Sequence, residues 1–261
     1  MPEGDVVWRT ARRLHEALAG KVLTRSDLRV PRYATADLAG RTVHEVTARG
    51  KHLLHRIGDG PDAVTLHTHL RMEGAWHVYR PGSPWRRPGH QVRAVLHTAP
   101  WVAVGFSLGV TEVLRREDEE RALGHLGPDL LGADWDLDEA LRRLRADPGR
   151  EIGEALLDQR NLAGIGNLYK AEVCFIQGVH PATPLVAVPD LERLVRRAKA
   201  LLEANRQRAG QTTTGDTRPG RRVWVYGRAG QPCLRCGTAV AGADESDRVT
   251  YWCPRCQPQP Q

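Results

Sequence analysis

Four of the five cysteines lie near the C-terminal end of the sequence, in two pairs that each have the spacing Cys-X-X-Cys. Two thiolates at positions i and i+3 can chelate one ion from a tight turn, and a second such turn completes a tetrahedral set. The pattern therefore predicts one structural zinc ion, with every coordination position filled by protein and none left for catalytic water. The predicted ligands are Cys233, Cys236, Cys253 and Cys256.

The fifth cysteine, Cys174, lies apart from the others in an apolar stretch, where we expect a small core residue. The sequence begins with an acidic segment, Met1-Pro2-Glu3-Gly4-Asp5, and we expect no secretory signal there. A disulfide framework is therefore the weaker interpretation of the cysteine pairs, and a metal site is the stronger one.

The second residue offers a different chemistry, because removal of Met1 would expose the secondary amine of Pro2. An α-amino group has an ordinary pKa of roughly 7.7–8.0, which leaves a useful neutral fraction near physiological pH. A neutral amine can attack an aldehyde-level carbon and form an iminium ion. Glu3 lies beside the amine and could move protons as an acid or a base. Since proline is common at position 2, the chemistry alone does not establish this role.

The composition favours a polyanionic partner without proving one. The formal net charge is +7. The excess is mostly arginine, whose planar fork offers paired donors to phosphate. Basic charge alone is weak support, since many basic proteins never bind nucleic acid. No apolar run of the length that a bilayer requires occurs, so we expect no transmembrane helix.

The first half of the chain predicts one helix followed by strands. Residues 5–20 have an apolar stripe at helical spacing, with Asp5 as a candidate cap and Gly20 as a terminator. Short segments rich in Val, Leu and aromatic residues follow up to residue 115, which is typical of an antiparallel sandwich or barrel. The predicted strands are Thr42–Val46, His52–Ile57, Ala63–Leu70, Gly74–Tyr79, Gln91–Thr98 and Trp101–Phe106.

The second half predicts helices, and then the zinc module. Apolar spacing indicates helices at 136–146, 151–158, 167–177 and about 190–208, and a polar loop at 210–222. Between the cysteine pairs, Val249-Thr250-Tyr251-Trp252 predicts a strand. The module is therefore predicted to be a zinc-held β-hairpin with Arg248 at its turn.

Six motifs follow one another from the N-terminal to the C-terminal end of the sequence. They are Pro2-Glu3-Gly4, Arg49-Gly50-Lys51-His52-Leu53-Leu54, His67-Thr68-His69-Leu70-Arg71-Met72-Glu73-Gly74, His125-Leu126-Gly127-Pro128-Asp129, the segment from Leu156 to Asn167, and the zinc hairpin with Arg248. Together they resemble the formamidopyrimidine-DNA glycosylase and endonuclease VIII family over nearly the whole chain. Gly4 favours the endonuclease VIII branch, whereas the motif around Met72 is more similar to the formamidopyrimidine branch.

The resemblance implies catalytic roles. Pro2 would be the Schiff-base nucleophile at the sugar C1′, and Glu3 the proton donor that opens the deoxyribose ring or helps to expel the base. Lys51 would be a second acid/base group, and Arg248 would grip phosphates and assist a second elimination. The resemblance also implies a DNA-binding set with Met72 as the wedge and Asn167 as a phosphate clamp. That set is His69, Leu70, Arg71, Met72, His125, Asn167 and Arg248.

The fold that we predict is α+β and two-lobed. An N-terminal catalytic helix lies on an antiparallel β-sandwich in residues 2–120, a helix–two-turn–helix domain spans 121–222, and a zinc β-hairpin spans 223–261. The resemblance implies a bifunctional DNA glycosylase and abasic-site lyase that removes oxidised bases, with pyrimidines preferred over purines. It further implies damaged duplex DNA as partner, a monomeric state, zinc as the one cofactor, and a cytoplasmic, nucleoid-associated location in a bacterium.

One position departs from the family pattern, and two other functions stay open. Many relatives have a second glutamate at the position of Val6, where the nearby carboxylate here is Asp5; Glu172 is a reserve candidate. The alternatives are an abasic-site lyase without base excision and a non-catalytic zinc DNA-binding module, which would have no reason to keep Pro2, Glu3 and Lys51 together. His67 and His69 alternate on one strand face, for which hydrogen bonding is a better explanation than a metal pair.

Overall fold

The computed structural model describes residues 2–245 and 248–260, which form two compact units. The first unit ends at His125, and the second begins at Leu126. Across these described ranges, no helix combines the length and the apolar character that a membrane span requires.

The first unit opens with helix α1 (Gly4–Leu18), whose apolar stripe is buried as predicted. The N-cap position belongs to Glu3, which has an extended backbone. The expectation that Asp5 caps the helix was therefore wrong, because Asp5 already lies inside the first turn. The helix ends before Gly20, whose φ of 72° is left-handed and favours glycine. The buried stripe consists of Val7, Ala11, Leu14 and Leu18.

Two antiparallel sheets follow α1. The strands are β1 (Lys21–Val22), β2 (Arg25–Leu28), β3 (Thr42–Arg49), β4 (His52–Ile57), β5 (Val64–His69), β6 (Ala75–Tyr79), β7 (Val92–His97), β8 (Val102–Phe106) and β9 (Val110–Arg115). One sheet has the order β1-β3-β4-β5-β9 and the other β2-β7-β8-β6. All six predicted strands are present. Strands β1, β2 and β9 were not predicted; β1 and β2 are short and polar.

Helix α1 and the two sheets share one buried core. Leu14 of α1, Leu66 of one sheet and Leu96 of the other belong to the same apolar cluster. The helix packs against β3 and β4, among other strands. The start of the chain is thus attached to the sheet that contains the Lys51 turn. A short helix, α2 (Glu119–Leu123), lies near the end of this unit.

The second unit is built from helices. They are α3 (Leu137–Arg145), α4 (Ile152–Leu157), α5 (Asn167–Gln177) and α6 (Leu191–Asn205). Asp190 caps α6 as predicted, because its side chain accepts a hydrogen bond from the backbone N–H of Arg193 at 2.8 Å. This helix ends at Asn205, earlier than the predicted residue 208. The Asn205 amide donates to the carbonyl of Leu201 inside the helix and to that of Thr212 beyond it, at 2.8 and 2.9 Å.

A hairpin of β10 (Ala241–Glu245) and β11 (Arg248–Trp252) lies near the C-terminal end. The hairpin and the cysteines pack against α5 through an apolar cluster that includes Phe175, Val225 and Val240. These elements confirm the predicted α+β class: a helix on antiparallel sheets, a helical part, and a β-hairpin beside four cysteines.

Candidate active site and nucleic-acid interface

Pro2 and Glu3 lie at the beginning of α1. The side chain of Pro2 is half-buried, and that of Glu3 is fully buried at 0% exposed. A helix N-terminus has a positive partial charge, which disfavours protonation of an amine nearby. The two groups are thus adjacent at a helix start, where a neutral amine nucleophile and a shielded proton donor could act together.

Lys51 lies on the turn between β3 and β4. Arg49 and His52 pair directly, so Gly50 and Lys51 form a two-residue hairpin turn. The φ of Gly50 is 56°, the left-handed backbone that such turns require. The Lys51 side chain is half-buried. The turn therefore fixes this amine at the end of the two strands on which α1 packs.

A histidine cluster, formed by His52, His67 and His69, adjoins the Lys51 turn. His52 pairs with His69 across β4 and β5, and their ring centroids are 4.9 Å apart. The Nδ1 atom of His52 lies 2.8 Å from Nε2 of His67, whose Nδ1 atom lies 3.2 Å from a carboxylate oxygen of Glu112. The sequence analysis did not single out His52. The available signal was its place directly after Lys51 and, in register, opposite His69.

The cluster is neutral at physiological pH. Burial lowers the pKa of His52 to about 3 and that of His69 to about 4, and it also lowers the pKa of His67. A positive charge on the neighbouring His69, His67, His125 or Lys51 would lower the pKa of His52 further. The predicted DNA contact His125 is exposed at the end of the first unit, close enough to act on His52 in this way.

The predicted wedge loop follows β5. Leu70 is buried at 2% exposed, whereas Met72 is 66% exposed. Arg71 is also exposed, and its φ of 50° is left-handed. The turn ends at Gly74, where only glycine fits. A Cβ atom at this position would lie 2.3 Å from the carbonyl oxygen of Leu70. The loop therefore presents Arg71 and Met72 to solvent and keeps Leu70 in the core.

In the second unit, the start of α5 is tied to the zinc hairpin. Asn167 is the first residue of α5, and its side-chain amide donates to the carbonyl of Val249 at 2.8 Å. The Lys170 amine donates to the Thr250 hydroxyl at 2.7 Å. Arg248 directly precedes this contact in β11, and its side chain is exposed.

A cavity of about 400 Å³, lined by both basic and acidic side chains, lies within the second unit beside this contact. Its basic lining residues are Arg150, Lys170 and Arg248, and its acidic ones are Glu151, Glu154 and Asp158. Basic side chains next to a helix N-terminus suit a phosphate. The residues that the sequence proposed for phosphate contact, Asn167 and Arg248, are thus held near one another.

The four paired cysteines converge on one point. Their sulfur atoms all lie within 4.8 Å of one another, and Cys236 and Cys253 are 3.5 Å apart. A tetrahedral zinc ion with zinc–sulfur bonds of about 2.3 Å requires such separations. The donor set therefore fits one structural zinc ion. No other cluster with metal-ligand geometry occurs in the part of the chain that the structure describes.

Glu172, the reserve candidate, is fully buried in α5. Its carboxylate accepts backbone N–H bonds from Trp224, Val225 and Tyr226 at 2.7–2.9 Å, and it also accepts a bond from the Thr213 hydroxyl. Burial raises the pKa of this carboxyl group, while these four donors oppose the shift. Glu172 thus holds residues 224–226, between α6 and the cysteines, in place. Its side chain is not exposed to solvent.

Comparisons with known protein families cover nearly the whole chain. Residues 1–121 match the formamidopyrimidine-DNA glycosylase N-terminal domain, and residues 126–216 match the formamidopyrimidine-DNA glycosylase H2TH domain. Residues 230–259 match a zinc finger found in FPG and IleRS. The zinc-finger match and the clustered cysteines agree on one structural zinc ion.

Similar proteins are known from bacteria. The chain is 60% identical to a probable endonuclease 8 2 of Streptomyces coelicolor, over 100% of this chain and 95% of that protein. It is 52% identical to the DNA-(apurinic or apyrimidinic site) lyase Nei2 of Mycolicibacterium smegmatis, over 98% and 99%. A solved complex of Lactococcus lactis Fpg with DNA containing an abasic site has the same fold. Its TM-score is 0.82 at 23% identity, over 99% of this chain and 100% of that one.

Proposed function

Because the chain belongs to the formamidopyrimidine-DNA glycosylase and endonuclease VIII family, we propose that it is a DNA glycosylase and abasic-site lyase of base excision repair. The supporting observation is the arrangement of three groups within the first unit. Pro2 and Glu3 begin α1, and Lys51 lies on the turn between two strands against which α1 packs. A protein that only binds DNA needs none of the three.

The proposed reaction begins when a damaged nucleotide is flipped out of the duplex, because C1′ is otherwise inaccessible. The Pro2 amine attacks C1′, the base leaves, and an iminium ion remains. Glu3 supplies a proton to the ring oxygen or to the departing base, and Lys51 acts as a second acid/base group. Elimination then breaks the bond from C3′ to the phosphate, and a second elimination, assisted by Arg248, releases the sugar.

The substrate is proposed to be duplex DNA with an oxidised base, with pyrimidines preferred and purines as the second candidate. A narrower function, cleavage at abasic sites without base excision, is favoured by one observation. The Mycolicibacterium smegmatis relative is named for its lyase activity. Both functions use the same nucleophile and differ in the pocket that accepts a base.

The DNA contacts are proposed as a set with distinct tasks. Met72 fills the gap left by the flipped nucleotide, with Arg71 and Leu70 beside it and with His69 and His125 nearby. Asn167 and Arg248 hold phosphates. The protein is proposed to act as a monomer on nucleoid DNA in the bacterial cytoplasm, which is consistent with its bacterial relatives. The division at 2–120, 121–222 and 223–261 also remains a proposal.

Replacement of Arg248 by alanine is expected to weaken binding to all DNA sequences alike. Each phosphate contact contributes about 0.9 to the slope of log affinity against log salt, so the variant should lose about one such increment. Titrations of a labelled duplex at several salt concentrations measure this slope. Arg255→Ala is the matched control, because Arg255 is an exposed arginine of the same module outside the hairpin. An unchanged slope for Arg248→Ala would argue against a phosphate contact.

The proposed function is tested with three duplexes that contain an abasic site, an oxidised pyrimidine or 8-oxoguanine. Cleavage of all three supports the bifunctional enzyme, and cleavage of the abasic duplex alone supports the lyase. Lys51→Met is expected to lower cleavage by about 10²-fold, in line with the loss of one acid/base group. Lys199→Met is the control, since Lys199 lies on α6 and ion-pairs with Glu203 at 2.9 Å. Binding without any cleavage would leave the DNA-binding module as the better explanation.

A further inference from the structure

The hydrogen bonds of the histidine cluster have one direction. A carboxylate only accepts, so the proton in the contact between Glu112 and His67 belongs to Nδ1 of His67. A neutral imidazole has one N–H group, so Nε2 of His67 is an acceptor. The proton in the 2.8 Å contact between His67 and His52 therefore belongs to Nδ1 of His52. This leaves Nε2 of His52 with a lone pair and no proton.

No hydrogen bond to Nε2 of His52 is found among the described residues. An imidazole that donates from Nδ1 towards a carboxylate and keeps Nε2 bare has the arrangement of a general base. Here His67 stands between the imidazole and the carboxylate. The Glu112 side chain is 41% exposed, whereas that of His67 is 7% exposed. The hydrogen bonds thus run from the half-buried His52 through the buried His67 to a carboxylate in contact with water.

A small set of charged and titratable groups surrounds the hydrogen-bonded series His52–His67–Glu112. The titratable groups that interact with His52, His67 or Glu112 are Lys51, His55, His69, His125 and Glu119. Nδ1 of His69 accepts the backbone N–H of Arg71 at 2.9 Å, so a neutral His69 has its proton on Nε2. His52 directly follows Lys51, and its ring lies 4.9 Å from that of His69, the histidine that precedes the wedge loop.

The geometry points to His52 as the general base that removes the C2′ proton during strand cleavage, with His67 and Glu112 as positioning residues. This inference rests on the proposed function, because it requires the iminium formed by Pro2. It adds to that function the group that accepts the proton and the route by which the proton reaches water.

The proton and the electrons balance in one sequence. Nε2 of His52 takes the proton from C2′, and the electron pair of that C–H bond forms the C1′–C2′ double bond while the iminium becomes an enamine. The enamine then expels the 3′ phosphate with the electrons of the C3′–O bond. The Nδ1 proton of His52 passes to Nε2 of His67, and the Nδ1 proton of His67 passes to Glu112 and then to water. The imidazoles end neutral, as their burial requires.

His52→Gln is expected to lower the single-turnover cleavage rate of an abasic duplex by about 10²-fold, the size of a lost general base. The amount of adduct trapped by borohydride should stay unchanged, because trapping precedes elimination. His44→Gln is the matched control: His44 is a histidine of β3 whose Nε2 atom lies 3.0 Å from a carboxylate oxygen of Asp59, outside the cluster. Added imidazole should restore part of the cleavage rate of His52→Ala, because it can replace the missing base. It should not change the cleavage rate of Pro2→Gly, which lacks the nucleophile.

Glu112→Gln separates a proton route from a structural role. The base must be unprotonated, so the rate falls as pH drops through its pKa. The negative charge of Glu112 raises the pKa of His67 and stabilises a proton on the hydrogen-bonded pair His52–His67, so its removal should move the acid limb of the pH–rate profile to lower pH. A uniform loss of rate with an unmoved limb and no rescue by imidazole would overturn the inference.

The tautomers can be read directly from the folded wild-type protein. Nitrogen-15 NMR of labelled histidine should find the proton on Nδ1 in both His52 and His67. A proton on Nε2 of either ring would overturn the inference without any variant. If the wild type gives no borohydride adduct, the proposed function itself fails. If it gives the adduct but His52→Gln cleaves at the wild-type rate, only the role of His52 fails.

Discussion

Glu3→Gln is expected to lower the excision of a damaged base by about 10²–10⁴-fold, the range for loss of a positioned general acid. Glutamine keeps the size of the side chain but cannot donate the acidic proton. Glu3 is fully buried, so water cannot readily replace that proton. Cleavage at an existing abasic site should fall much less, because such a sugar opens to the aldehyde without help. Single-turnover rates on the two duplexes measure both effects.

Glu16→Gln is the matched control for this experiment. Glu16 lies on the same helix, is exposed, and forms an ion pair with Arg12 at 3.0 Å. It should retain both rates. Equal losses of excision and abasic-site cleavage in Glu3→Gln would contradict a role in expelling the base, and would assign Glu3 to a step that follows base loss on both duplexes.

Removal of zinc is expected to abolish the nucleic-acid interface of the second unit. Structural zinc sites contribute about 10–16 kcal/mol to folding, so the hairpin should lose its structure without the ion. The Asn167 contact with Val249 and the position of Arg248 would be lost together. DNA affinity at moderate salt should fall by about 10²-fold or more, consistent with the loss of several phosphate contacts. Titration with a chelator, followed by zinc release and DNA binding, measures both quantities.

The cysteine outside the module provides the control. Cys174 is buried in α5 and belongs to a different apolar cluster. Cys174→Ala should retain one zinc ion per chain and wild-type DNA affinity, whereas Cys253→Ala should lose both. Wild-type affinity in the zinc-free protein would show that the hairpin takes no part in DNA binding.

Much of the fold could be predicted because its signals are local. The helix 167–177 and the strand 249–252 follow from spacing and flanking residues, and the zinc site follows from two Cys-X-X-Cys pairs. The start of α1 could not be predicted, because Asp5 is a preferred cap residue whereas Glu3 occupies the N-cap position without a side-chain cap bond. Strand β2, Arg-Ser-Asp-Leu, has little apolar pattern and is formed by its pairing with β7.

The candidate site was predicted less completely than the fold. Pro2, Glu3 and Lys51 could be singled out because a resemblance joined three weak local signals. The histidine cluster could not, since His52 and His67 meet only through the register of β4 and β5, and Glu112 joins them from β9. Such contacts between strands depend on sheet pairing, which residue spacing alone does not specify.

The central claim is that the Pro2 amine forms the covalent intermediate. The direct measurement is borohydride reduction of the protein on an abasic duplex, followed by digestion and mass spectrometry of the modified peptide. Intact mass first establishes that Met1 has been removed. The DNA remnant is expected on Pro2, with no adduct in a form that retains Met1. An adduct on Lys51, or equal trapping by the form that retains Met1, would contradict the claim.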